Sequence, residues 1–189
     1  RAGTGYVNLY NGDVVIARPL TQCGGNRMPV SITAYYGAQL SGVTARVGSH
    51  WRLSCDQCMN KSYINDELYF IWSKGDGDQQ YFKKPNSSAA YYEDLSGLSL
   101  KLTDNGTYTE IEDQGGTVMR FESPQDALDD TGRLLSITDS CGNTNTYQYG
   151  DWRLERITDG AGRVTQFIYT NNMLSGILAP GETAPVTLE

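Results

Sequence analysis

The chain has 189 residues, 39% apolar and 20% charged, a balance that suits a folded soluble chain and not a disordered one. Its net charge of −7, with no strong basic cluster, disfavours nucleic acid and anionic membrane surfaces as partners. No apolar run approaches the ~20 residues of a membrane-spanning helix. Tyrosine outnumbers phenylalanine and tryptophan, 13 against 4 and 3, and glycine contributes 21 residues, which together point to strands joined by tight turns.

The first two-thirds reads as hairpins. Tyr6 to Leu9, the turn Asn11-Gly12-Asp13 and Val14 to Ala17 form strand, turn and strand, with Asn-Gly as the hairpin signal. Val30, Ile32, Ala34 and Tyr36 alternate with polar or smaller neighbours. Leu68, Phe70 and Trp72 do the same before the turn Gly75-Asp76-Gly77-Asp78, and Tyr81-Phe82 return. Leu98, Leu100 and Leu102 alternate with Ser99, Lys101 and Thr103, which predicts a strand with three leucines on one face. Asp104-Asn105-Gly106 turns the chain into Thr107 to Glu112, and Asp113-Gln114-Gly115-Gly116 turns it into Thr117 to Phe121. One segment reads as one or two helical turns: Ser123 as N-cap, Pro124 first, Ala127 and Leu128 within, Gly132 as the stop.

From Gly132 a 20-residue period runs through the chain. Leu134, Leu154 and Leu174 share it, as do Ile137, Ile157 and Ile177. Asp139 matches Asp159, Gly142 matches Gly162, Tyr147 matches Phe167, and Tyr149 matches Tyr169. A period of this length marks a small unit that buries its apolar face mainly against its neighbours. Each unit reads as two strands about an Asp-to-Gly turn. The carboxylate bonds the backbone ahead of it, and glycine supplies positive φ. Leu154 and Ile157 have opposite strand parity, so both face inward only if the strand starts late or carries a bulge. A third copy opens at Met173-Leu174. Strands around Asn172 to Leu178 are expected to be left unpaired unless another chain or copy covers them. The start at Arg1 in place of Met suggests an excised segment or a processed product, and Leu188-Glu189 is set aside as a cloning scar.

The stretch Gly132-Arg133-Leu134, Ile137-Thr138-Asp139, Gly142-Asn143 and Tyr147-Gln148-Tyr149 resembles the YD repeat of Rhs proteins. Ile157-Thr158-Asp159, Gly162-Arg163 and Phe167-Ile168-Tyr169 match it again. Upstream, Val7-Asn8-Leu9-Tyr10-Asn11-Gly12, Pro29-Val30-Ser31-Ile32, Trp51-Arg52-Leu53, and Asp76-Gly77-Asp78 with Tyr81-Phe82-Lys83-Lys84 are similar to the region before the repeats in bacterial Rhs and wall-associated proteins. The family often has Asp directly after the second Tyr, where this chain has Gly150 and Thr170. The resemblance implies a secreted or cell-surface β shell that encloses a C-terminal toxin or forms part of an adhesion ectodomain. Its partners would be neighbouring repeats, an enclosed toxin domain, or a surface glycan or protein. The family's Asp-Pro-x-Gly self-cleavage motif is absent, so no catalytic residue is carried over.

The expectation is an all-β chain of antiparallel hairpins and a meander forming one continuous curved sheet. Residues 1–125 would be a hairpin module, and 126–189 the YD repeats, two whole and one partial. The expected role is structural and not enzymatic, with no cofactor, metal or catalytic residue assigned. The alternative is a β module that binds carbohydrate or a cell-surface protein, marked by an exposed aromatic cluster with a polar rim. Cys55-Asp56-Gln57-Cys58 has the spacing of a zinc knuckle or redox pair, but Cys23 and Cys141 stand alone. The four cysteines permit two disulfides in three connectivities, and the sequence does not choose. Asp76-Gly77-Asp78 and Asp104-Asn105-Gly106 read as turns and not as calcium loops. Trp51, Trp72 and Trp152 read as core or cross-strand packing, with sugar stacking as the rival. Arg133, Arg153 and Arg163 recur beside turns as partners for acids or as a solvated face. An enzyme would need His50 beside a carboxylate or a cysteine, or a buried carboxylate in a pair such as Glu110 and Glu112.

Overall fold

The computed structural model describes residues 4–7, 14–38, 40–125 and 131–188. Among them it forms strands and turns and no helix. The strands are β1 Thr4–Val7, β2 Val14–Thr21, β3 Ile32–Tyr36, β4 Trp51–Leu53, β5 Cys58–Ile64 and β6 Glu67–Ser73. They continue as β7 Gln79–Lys83, β8 Tyr92–Asp94, β9 Lys101–Asp104, β10 Tyr108–Glu112, β11 Val118–Glu122 and β12 Gly132–Thr138. The last are β13 Thr144–Gly150, β14 Arg153–Thr158, β15 Val164–Thr170, β16 Met173–Leu178 and β17 Val186–Thr187. All of the registered pairings are antiparallel. The all-β expectation therefore holds.

The chain folds into two compact units. One takes residues 1–56, 75–77 and 145–189, the other residues 57–74 and 78–144. In the first, β1–β2–β3–β4 form a sheet of their own. The expected single continuous sheet is thus divided, because Leu53 ends β4 and the next strand pairs elsewhere. Ile32, Ala34, Leu53 and Cys55 from the N-terminal part pack with Leu154, Ile157, Phe167, Leu174 and Ile177 from the repeats. Two sheets therefore share one apolar core.

In the second unit β5 to β12 pair in chain order, and β12 pairs with both β11 and β5. Eight strands thereby close into a barrel, joined at the seam by the pairs Gly132–Met59 and Arg133–Cys58. Phe70, Phe82, Leu102, Ile111, Phe121 and Leu134 fill it, none measurably exposed. Local chemistry sets the hairpins. Asn65 and Asp66 both take positive φ, 52° and 64°, in the two-residue loop between β5 and β6, as a type I′ turn requires.

The repeats carry the bulge that their parity demands. Gln148 faces Arg156 while Tyr149 faces Leu154, so Glu155 is the extra residue. Ile168 faces Gly176 while Tyr169 faces Leu174, so Ser175 is extra. Arg120 faces Ser136 while Phe121 faces Leu134, so Leu135 is extra. The bulge recurs every 20 residues, and it lets Leu154 and Ile157 both sit at 0% exposure.

Several expectations are corrected. The strand predicted over Leu98 to Leu102 begins at Lys101, and Leu98 is 53% exposed. Gly97 and Ser99 take positive φ there, and Asp94 accepts the Ser96 N–H at 2.7 Å, so the segment is a tight turn. The stretch Asn172 to Leu178 is not left unpaired. Ile177 faces Val186, Gly176 faces Thr187, and the Leu188 N–H donates to the Ser175 carbonyl at 2.9 Å. Leu188, set aside as a scar, packs against the core of its unit. The turn Asn11–Asp13 and the helical turns at Ala127-Leu128 lie outside the described residues. Ser123 to Gln125 are irregular, and Gly132 opens β12.

Candidate functional site

Alternation along β5 puts Met59, Lys61 and Tyr63 on the barrel's inner side, facing Trp72, Phe70 and Leu68 of β6. Lys61 is therefore a cation near the mouth of an apolar barrel. Its Nζ lies 3.6 Å from Asp104 Oδ2 and 5.1 Å from the Phe70 ring centre. Ser123, itself buried, donates its hydroxyl to Asp104 Oδ1 at 2.8 Å. Tyr92 packs edge-on to Phe70, with ring centres 4.8 Å apart. Burial raises the Tyr92 hydroxyl pKa, and the nearby Asp104 charge raises it further.

Beside this cluster lies a cavity of about 500 Å³, lined by Glu67, Leu68, Lys83, Lys84, Pro85 and Tyr92 among others. Barrel mouths are common ligand positions. Lys84 Nζ sits 5.4 Å from the Tyr92 ring centre. Lys83 is 2.5 Å from Glu67, and the hydrogen bond lowers the Glu67 carboxyl and raises the Lys83 ammonium. The arrangement can hold a small molecule with an apolar face and an anionic edge. Sequence reasoning missed Lys61 and Tyr92. The signal for Lys61 was its shared parity with Met59 and Tyr63.

A second arrangement holds the repeats of the other unit. Asp56 is fully buried and accepts three hydrogen bonds: from Val43 N at 2.7 Å, Thr44 N at 2.9 Å and Thr44 Oγ1 at 2.8 Å. The loop so clamped offers its carbonyls to the bulged strands. Leu154 N donates to Thr44 O at 3.1 Å, and Leu174 N donates to Arg46 O at 2.8 Å. Two residues of loop thus span one 20-residue unit. Arg46 stacks over Trp152 at 4.5 Å, and Tyr169 donates its hydroxyl to Leu154 O at 2.8 Å.

The motifs singled out from sequence are dispersed. All four cysteines are free thiols. Cys55 lies in the core of the first unit, where burial pushes its thiol far up, and the neighbouring Asp56 charge adds to this. Cys58 is buried in the barrel unit and Cys141 is exposed in a repeat turn. Among the described residues no three His, Cys, Asp or Glu side chains group as metal ligands. Asp78 bonds Lys74 at 2.7 Å and Gln80 at 2.9 Å. Asp104 and Asn105 accept backbone N–H groups of Gly106, Thr107 and Tyr108, which is turn chemistry. His50 is exposed, bonded through Nδ1 to the Ala38 carbonyl at 2.9 Å and edge-on to Tyr36. Glu110 pairs with Arg120 across the strands, 2.6 Å from Nη2. Arg133 pairs with Glu122 at 2.5 Å and Arg163 with Asp159 at 2.7 Å, while Arg153 sits over Tyr169 at 5.2 Å. Trp51 packs on the first unit's core, and Trp72 is buried with its Nε1 donating to Gln57.

The repeat turn reaches one copy further back than the 20-residue spacing shows. Asp113 Oδ1 accepts Thr117 N at 2.8 Å, as Asp139 accepts Asn143 N at 2.8 Å and Asp159 accepts Arg163 N at 2.9 Å. Gly116, Gly142 and Gly162 take φ of 80°, 82° and 78°. Ile111 and Phe121 stand at the same offsets from Asp113 as Ile137 and Tyr147 do from Asp139. The spacing to that copy is 26 residues, so a fixed period hides it. No protein-family model and no curated protein matches this chain.

Proposed function

We propose that the chain is a structural segment of an extracellular shell of the Rhs/YD-repeat kind, which encloses or displays a toxin or adhesion module. The observation that carries this reading is the bulge at Leu135, Glu155 and Ser175, recurring with the Asp-to-Gly turn. A unit that repeats its turn, its bulge and its buried Leu in one register is built for extension and not for a single active centre. The clamped loop at Val43 to Arg46 supports the same role, since it braces successive units at matched intervals. On this reading the protein is secreted or held at the cell surface, and it works by exclusion and display. Limited proteolysis of the parent polypeptide tests it. The expected result is a resistant envelope that retains a C-terminal module until denaturation. A parent without further 20-residue units, or with a module cut freely in the native state, overturns it.

The cavity at the barrel mouth favours a second reading, a module that binds carbohydrate or a cell-surface protein. Tyr92, Leu68 and Pro85 offer apolar surface, and Lys84 offers a charge. An array of neutral and acidic glycans distinguishes the two readings. Binding to acidic glycans that is lost in Lys84→Ala supports the module.

A further inference from the structure

The whole net charge of the chain lies in one unit. Residues 57–74 and 78–144 hold 14 Asp and Glu against 7 Lys and Arg, a balance of −7, and the other unit is neutral. A polyanion is therefore repelled by the barrel unit as a whole. The cavity at the barrel mouth has the opposite sign. Its charged lining residues are Glu67, Lys83 and Lys84, one acid and two cations.

These three charges are committed to different degrees. Lys83 Nζ at 2.5 Å and the Tyr69 hydroxyl at 3.3 Å both bond Glu67 Oε2, and Oε1 of that carboxylate takes neither. Lys84 has no acid partner among the described residues, and its Nζ lies 5.4 Å from the Tyr92 ring centre. That ring is held edge-on to Phe70 and, with Leu68 and Pro85, gives the cavity an apolar wall. Asn86 accepts the Ser88 N–H at 3.1 Å and the Ser88 hydroxyl at 2.8 Å, both on Oδ1, which leaves its Nδ2 hydrogens as donors. The lining thus combines one free cation, an apolar surface, a carboxylate oxygen and an amide donor.

We infer that this cavity takes a singly charged sugar acid, a residue of the hexuronic-acid class at the end of a glycan, and not a stretch of polyanion. The carboxylate pairs with Lys84, the apolar face of the ring lies against Tyr92 and Leu68, and the hydroxyls bond Glu67 Oε1 and the Asn86 amide. One free cation matches one carboxylate, and the net charge of the surrounding unit penalises a second. An acid on a purely apolar body would displace water from Glu67 Oε1 and the Asn86 amide without replacing its hydrogen bonds. The volume, about 500 Å³, falls within the range of small-molecule sites, roughly 300–1,000 Å³. This deepens the carbohydrate reading of the same cavity and rests on it.

The test titrates the intact chain and follows the Tyr92 ring and Lys84 methylene resonances by NMR. The probes are methyl glucuronide, its neutral counterpart methyl glucoside, cyclohexanecarboxylate as an acid without hydroxyls, and a heparin fragment as a polyanion. Saturable shifts at both residues are expected with the glucuronide. Affinity at least tenfold weaker is expected for each of the other three probes, and for the glucuronide with Lys84→Ala. Lys84→Arg keeps the charge and is expected to retain most of the binding. Glu67→Ala is expected to narrow the preference for the glucuronide over cyclohexanecarboxylate, because it removes a hydroxyl acceptor and leaves the charge attraction. Lys84 and Glu67 are exposed, so unchanged melting temperatures are expected and show that the variants fold. Equal binding of the glucoside, tighter binding of heparin at these resonances, or glucuronide binding that ignores Lys84→Ala overturns the proposal. So does the absence of shifts with the glucuronide. If a different glycan binds and is lost in Lys84→Ala, only this ligand class falls. If no glycan moves these resonances, the carbohydrate reading of the cavity falls with it.

Discussion

The carboxylates of the turns are the most informative side chains in the repeats. Asp159 is 3% exposed, and its two oxygens accept Ala161 N, Arg163 N and Arg163 Nε at 2.8 to 2.9 Å. Burial alone would push its carboxyl up. The hydrogen bonds from Arg163 and Ala161 and the guanidinium charge outweigh that and hold it below the usual value. Asp139 is lowered chiefly by the Asn143 side chain, and Asp113 chiefly by the Thr117 backbone. Asp159→Ala is expected to cost about 2 kcal/mol, the range for hydrogen bonds to a charged group. Urea unfolding at neutral pH measures it. The sign with pH follows from the depressed folded values. The contribution is complete above the unfolded carboxyl value of about 4 and is lost as pH falls through the folded one. The gap in urea midpoint between the parent and Asp159→Ala is therefore expected to narrow from pH 6 to pH 2.5. A gap that stays constant would remove the carboxylate charge from the explanation. These turns were legible in the sequence because Asp and Gly at fixed offsets each have a local backbone reason to be there.

At the scale of the element, the bulge decides which side chains are buried. Glu155 is exposed, so Glu155→Ala is expected to change stability by no more than about 0.5 kcal/mol. Deleting Glu155 is different. It restores simple alternation and turns either Leu154 or Ile157 out of the core. The expected loss is about 3 kcal/mol, comparable to truncating a buried Leu or Ile. Equal effects of deletion and substitution would show that the register is not what holds the unit. Asp56 makes the same kind of claim for the loop. Asp56→Ala leaves the Val43 and Thr44 N–H groups without their acceptor, and a loss of about 3 kcal/mol is expected in urea unfolding. Here the sequence misled for a physical reason. Cys55-Asp56-Gln57-Cys58 drew attention to its sulfurs, while the carboxylate between them carries the hydrogen bonds. The parity conflict between Leu154 and Ile157 was readable and named its own solution. The role of Val43 to Arg46 was not, since main-chain carbonyls that bond distant strands leave no mark in side-chain pattern.

At the scale of the molecule, neither unit is a contiguous stretch of sequence. The barrel closes because β12 returns to β5, Gly132 facing Met59 and Thr131 Oγ1 donating to Asn60 Oδ1 at 2.9 Å. A Cβ on Gly132 would lie inside contact distance of the Glu122 carbonyl, which explains glycine at that crossing. Closure through so few pairs has no local signature, so the sequence shows a meander where the fold has a barrel. The core of the other unit likewise joins residues near 32 and near 177, and hydrophobic pattern alone does not reveal that partnership. The two buried thiols give each unit its own reporter. Cys55 is 4% exposed in one and Cys58 is 2% exposed in the other, whereas Cys141 is exposed. Thiolate is the reactive form, and burial that raises the Cys55 pKa suppresses it further. Brief alkylation of the native chain is therefore expected to label Cys141 well before Cys55 or Cys58. With rising urea, mass spectrometry of pulsed samples is expected to show Cys55 labelling when the shared core of the repeats opens and Cys58 when the barrel opens. Asp159→Ala and deletion of Glu155 should then advance the Cys55 transition and move the Cys58 transition less. Labelling of Cys55 in the native state, or equal advances at both sites, would contradict this assignment of the two thiols to separate cores.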